Sequence, residues 1–160
     1  MDGWKKFYSV GITAEELCLI LQQGANPNHS KYMQPPLHVS CIRDDLVQTE
    51  ILLQHGADPN LLYDRYAPLH LCARRGKVET VKLLLRYGAN IDLQDAKGWT
   101  ALHQSVFFLD TVRCLLEHGA ETELLTKDGK SALQLAEEAQ SVGKASAELI
   151  TTAKESAKAN

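Results

Sequence analysis

Apolar positions along this chain fall into two alternating settings. In the first, leucine-rich runs end at a glycine–alanine pair: LILQQGANPN (19–28), LLQHGADPN (52–60), LLRYGANID (84–92) and LLEHGAETE (115–123), with steps of 32, 32 and 31 between the glycines. In the second, a short motif recurs between those runs: PPLHVSC (35–41), APLHLCA (67–73), TALHQSV (100–106) and SALQLAE (131–137), with leucine steps of 32, 33 and 31. Val78, Val81, Leu84 and Leu85 keep helical spacing, so the runs before each glycine predict helices. Glycine then suits the left-handed residue that ends a helix. Pro36 and Pro68 stand where the shorter helices begin, and proline is tolerated there because its missing N–H would have no partner. Thr100 can cap the third copy, and Ser131 with Gln134 forms an S-x-x-Q capping box. Each unit reads as helix, tight turn, helix and hairpin-like finger. A unit of this kind buries its apolar face only by stacking on its neighbours.

The period is imperfect in two places. Leu102 to Gly119 is 17 residues where the two preceding units have 19, so the third unit needs a tighter turn or a shorter helix. The fingers from Gly24 and Gly56 are 11 residues long and those from Gly88 and Gly119 are 12. Pro27 and Pro59 lie in the two short fingers and offer no ladder N–H. Residues 3–23 read as a shortened terminal unit, with Trp4, Phe7 and Tyr8 available to pack. Residues 144–158 read as a final helix with one apolar stripe. The expected division is a capping unit at 1–28, repeats at 29–60, 61–92 and 93–123 (the last two residues short), and a second cap at 124–160.

Composition narrows the function. Net charge is −3 over 160 residues, with signs mixed, which speaks against a general nucleic-acid binder. No apolar run approaches the roughly 20 residues of a membrane span. The four cysteines, Cys18, Cys41, Cys72 and Cys114, form no C-x-x-C pair and fit a reducing compartment, hence a cytoplasmic or nuclear location.

The two motifs and their shared period resemble the ankyrin repeat, whose T-P-L-H-x-A signature recurs at about 33 residues. The resemblance covers roughly residues 3–150 and is strongest over 66–100. It implies an all-α repeat solenoid of stacked helix-turn-helix units, a monomer without cofactor, binding another protein through a concave face of finger tips and first helices. On that pattern the candidate contact residues are Tyr66, Trp99, Arg74, Arg75, Arg65, Lys97, Phe107, Phe108, Tyr32 and Lys130. Tyrosine, tryptophan and arginine are the residues most enriched at binding hot spots. The structural alternative is that Tyr66 and Trp99 lie flat on neighbouring fingers and that Phe107 and Phe108 fill the space left by the shortened unit. The resemblance also allows an adaptor or targeting subunit of a ubiquitin ligase or phosphatase complex, a microbial effector using the same surface, and hydroxylation of a finger asparagine, Asn28 or Asn60.

Nothing in the sequence points to catalysis. No phosphate loop, G-x-S-x-G or H-E-x-x-H run occurs. His38, His70 and His103 occupy one site in successive units, which implies structural bonds near helix starts rather than a converging metal site. Cys114 aligns with Leu19, Ile51 and Leu83 and is expected in the core. Cys18 aligns with outward positions.

Overall fold

A computed structural model describes residues 3–8, 12–30 and 33–159. Among these described residues ten helices follow in order: α1 (Gly3–Tyr8), α2 (Ala14–Gln22), α3 (Pro36–Arg43), α4 (Leu46–Gln54), α5 (Pro68–Ala73), α6 (Val78–Arg86), α7 (Ala101–Gln104), α8 (Leu109–Glu117), α9 (Ala132–Glu138) and α10 (Gln140–Lys158). Helices α3, α5, α7 and α9 pack successively into one row; α2, α4, α6, α8 and α10 form the other. The core runs between the rows. Leu37, Leu69 and Leu102 fill it from the first row, and Leu52, Leu84 and Leu115 from the second, all buried.

The glycine–alanine pairs close the second-row helices. Gly88 sits at φ +85°, its N–H reaching the Leu85 carbonyl while the Ala89 N–H reaches that of Leu84. This is the Schellman arrangement, which satisfies two carbonyls left open at the helix end. The same bonds recur at Gly24, Gly56 and Gly119. They also explain the alanines: Ala57, Ala89 and Ala120 turn inward and are buried.

A side-chain ladder ties the fingers together. Asn28 donates to the Gly56 carbonyl and accepts from the Asp58 N–H, and Asn60 does the same one unit on with Gly88 and Asn90. Asp92 continues the acceptor half of the pattern with the Glu121 N–H. Glu123 breaks it and instead pairs with Lys154 of α10 at 2.8 Å.

Both irregularities of the period have a definite location. The segments between α5 and α6 (74–77) and between α7 and α8 (105–108) are equal in length, while α7 has 4 residues against 6 in α5. The deficit is therefore in the helix, not the turn. In the finger from Gly56 the difference lies at the tip rather than at Pro59. Tyr63 and Tyr66 exchange backbone bonds around Asp64-Arg65, both at positive φ, as a two-residue hairpin of the type I′ class requires. In the next finger the Asp95 N–H bonds the Trp99 carbonyl around Ala96-Lys97-Gly98, one residue more.

The ends depart from expectation in two ways. The last helix begins at Gln140, not 144, because Gly143 does not break it. Any side chain at Gly143 would strike the Ala136 carbonyl, so glycine there allows α10 to lie close against α9. Leu19 is 54 % exposed although its counterparts Leu83 and Cys114 are buried. Among the described residues, α2 has a second-row neighbour on one side only. Trp4 and Phe7 are buried as expected, with their rings edge to face at 5.6 Å.

Candidate interaction face

The candidate residues resolve into couples. In two units the residue just before the short motif meets the residue eight positions later, at the end of the first helix. The Arg74 guanidinium lies over the Tyr66 ring, 5.3 Å from its centroid. Lys130 forms an ion pair with Glu138 at 2.6 Å. Between these couples, Trp99 and Phe107 line one cleft of about 220 Å³ together with Val106, Leu135, Glu138 and Ala139. Gln34 and Ile42 hold the corresponding positions in the first unit.

Buried histidines set the positions of these couples. His38 Nε2 lies 2.9 Å from the Tyr66 carbonyl, His70 Nε2 3.0 Å from that of Trp99, and His103 Nε2 3.2 Å from that of Lys130. Each imidazole thus carries the finger residue of the following unit. The Ala67 and Thr100 N–H groups donate to Nδ1 of His70 and His103, which places the proton of both rings on Nε2. Burial lowers the pKa of all three histidines, against the opposing pull of those carbonyls. All three histidines bond forward to the next unit, and His70 and His103 also bond back to their own helix starts.

Asp95 fixes the Trp99 finger. Its carboxylate is buried, accepting the Lys97 and Trp99 N–H groups at 2.7 and 2.9 Å and the Gln104 amide at 3.3 Å. The sequence reading passed over Asp95, together with Val106, Leu135 and Glu138. The D-x-x-G-x-T run at 95–100 was the available signal for Asp95. The other three enter only through packing across units.

The remaining candidates divide. Phe107 is 57 % exposed at the cleft, whereas Phe108 packs on Gly76 of the preceding unit, where a side chain would collide with its ring. Phe107 is thus the more exposed of the two, and Phe108, still 38 % exposed, spends part of its ring on Gly76. Arg75 is exposed and donates to the Leu71 carbonyl. Arg65 and Lys97 are exposed at the finger tips. Lys130 is already paired. Tyr32 lies outside the described residues.

The other polar groups are engaged in structure. Arg43, one unit before Arg75, donates to the Phe7 and Tyr8 carbonyls and lies over the Phe7 ring. A hydrogen bond to Cys41, together with burial, raises the Cys72 thiol well above its ordinary pKa, and burial raises Cys114, which makes both poor nucleophiles. The four cysteines are free thiols, with Cys18 half-buried. Among the described residues, no three His, Cys, Asp or Glu side chains converge as a metal site.

A family model for ankyrin repeats (3 copies) matches residues 9–95 and 69–150. The chain belongs to the ankyrin-repeat family. No curated protein matches it. Ankyrin repeats are generally protein–protein interaction modules, and the all-helical stack fits that architecture. Among the described residues, no helix of this ankyrin stack is long and apolar enough to cross a membrane.

Proposed function

We propose that this ankyrin stack binds a partner protein through the face formed by its finger ends and first-row helices, centred on Tyr66, Arg74, Trp99 and Phe107. The observation that carries the reading is the juxtaposition of a stacked Tyr66–Arg74 couple and an open Trp99–Phe107 cleft in consecutive units. A guanidinium held over a ring loses little freedom when it meets a carboxylate, and a half-exposed aromatic cleft gains apolar burial on binding. The cleft is smaller than the roughly 300–1,000 Å³ usual for small-molecule sites, which favours one protein side chain over a substrate. Arg75, Arg65 and Lys97 flank the centre. In this reading the chain comprises caps at 1–28 and 124–160 around three repeats, acts as a monomer, and works in the cytoplasm or nucleus.

Affinity capture tests it. Wild type and the Trp99→Ala/Arg74→Ala double variant are compared as baits after both melting midpoints are measured. Partners lost from the variant at near-unchanged stability support the reading. Strong destabilisation with partner affinity retained would sink it.

A further inference from the structure

Resting on that reading, the geometry points to the chemistry of the partner: we propose that the face takes an extended, acidic segment carrying a large apolar residue three positions from a carboxylate.

The charge state of the surface supplies the first half of the argument. Lys77, Lys82, Lys130 and Lys154 are neutralised by Asp44, Glu79, Glu138 and Glu123. Arg65, Arg74, Arg75 and Lys97 have no such partner among the described residues, and all four lie on the finger and first-helix side. Of the two acids beside this set, Asp95 is buried and spends its oxygens on the Trp99 finger, while Asp64, next to Arg65, is exposed, which leaves the four cations in excess. Exposed Arg86 and Arg113 also lack an ion pair among the described residues, but they belong to the second-row helices α6 and α8, so the four on this side form a separate cationic set. Such a face attracts acidic partners and repels basic ones.

The order of the couples supplies the second half. Moving along the stack, the surface is cationic and aromatic at Tyr66/Arg74, apolar at Trp99/Phe107, and internally neutralised at Lys130/Glu138. A carboxylate is thus matched at the first of these positions and a bulky apolar side chain at the second. The third offers no free charge. Helices in contact lie about 8–10 Å apart, which sets the separation of neighbouring couples. An extended chain covers that distance in about three residues at roughly 3.3 Å each.

A random twelve-residue peptide library displayed on phage, panned against the intact chain, tests this directly. The expected result is enrichment of Asp or Glu three residues from Leu, Ile, Met or Phe. A synthetic peptide of the enriched sequence should lose at least tenfold in affinity when its acid becomes the amide. That loss should vanish on Arg74→Gln, and Phe107→Ser should blunt the cost of truncating the apolar residue. Both substituted side chains are exposed, so circular dichroism and an unchanged melting midpoint confirm intact variants. Enrichment of basic or purely apolar sequences, of another spacing, or of nothing overturns the inference. If the enriched peptides bind Arg74→Gln, Phe107→Ser and the Trp99→Ala/Arg74→Ala variant as tightly as wild type, the interaction face itself is wrongly placed. If only the sequence preference fails while those variants still weaken binding, the face stands and the acidic segment falls.

Discussion

The Asp92 carboxylate accepts the Glu121 N–H at 2.9 Å, as Asn60 accepts the Asn90 N–H, but it has no proton for the Gly119 carbonyl. Asn28 and Asn60 both make that second bond, at 3.1 Å. Asp92→Asn should complete the ladder and raise stability by about 0.5–1 kcal/mol, the usual net worth of a hydrogen bond near the surface. Guanidinium unfolding checks it, and a lowered midpoint would count against the ladder as a stabilising device.

His38 offers a similar opening. Its Nδ1 is buried without a partner because Pro35, at the cap position, carries no N–H. In the third unit Thr100 supplies both an N–H and a hydroxyl to His103 Nδ1. Pro35→Thr should therefore stabilise by roughly 1 kcal/mol, the gain from pairing a buried acceptor less the lost stiffening of the unfolded chain. The histidine side-chain ¹⁵N shifts should show Nδ1 newly hydrogen-bonded. A variant no more stable than wild type would refute the account.

The histidines also set a pH dependence. Burial lowers the folded pKa of His38, His70 and His103, whereas the unfolded chain binds protons near pH 6.5. As pH falls below about 6.5, the unfolded state takes up protons that the native state refuses, so stability present above that value is progressively lost. With three sites the slope can approach roughly 4 kcal/mol per pH unit. Asp44 and Glu123, held below the ordinary carboxylate range by Lys77 and Lys154, titrate at lower pH and leave this window clear. Unfolding midpoints at pH 7.5 and 5.5 should differ clearly, and His70→Gln should flatten the slope by about one proton. A level profile would contradict the buried neutral imidazoles.

Gly143→Ala places a methyl against the Ala136 backbone carbonyl. Overpacking of this kind costs about 1–3 kcal/mol, and here the obstacle is backbone rather than a mobile side chain. The melting midpoint should fall although alanine is the better helix former. An unchanged or raised midpoint would show that α10 does not sit close against α9.

The parts of this molecule that could be read from sequence are those encoded locally. The glycine–alanine helix ends, the capping residues Thr100 and Ser131, and the prolines at helix starts each act within a few residues of themselves, so their period reveals the stack. Across-unit consequences were less legible. Alignment placed Leu19 with buried Leu83 and Cys114, but burial needs a neighbour, and α2 has a second-row neighbour on one side only. The last helix was expected over 144–158, and its extra turn depends on Gly143 packing against the Ala136 carbonyl, a contact between helices. The candidate contact residues were chosen by position, and folding gives them different surroundings: Lys130 is neutralised by Glu138, Phe108 packs partly on Gly76, and Arg74 lies over Tyr66. Asp95 was passed over because its three donors come together only once the finger closes.

The asparagine ladder has a consequence for building with this scaffold. Asn28 and Asn60 present the same donor and acceptor to the following unit, so the junctions they make are interchangeable plugs and sockets. An extra copy of a 32-residue unit spliced in at that point would meet matching hardware on both sides. Beyond Gly119 the connector changes: Glu121 and Glu123 replace the socket, and Lys154 of α10 is already plugged into it. The stack can thus be lengthened from within at the asparagine junctions, while the junction to α10 needs a connector of its own.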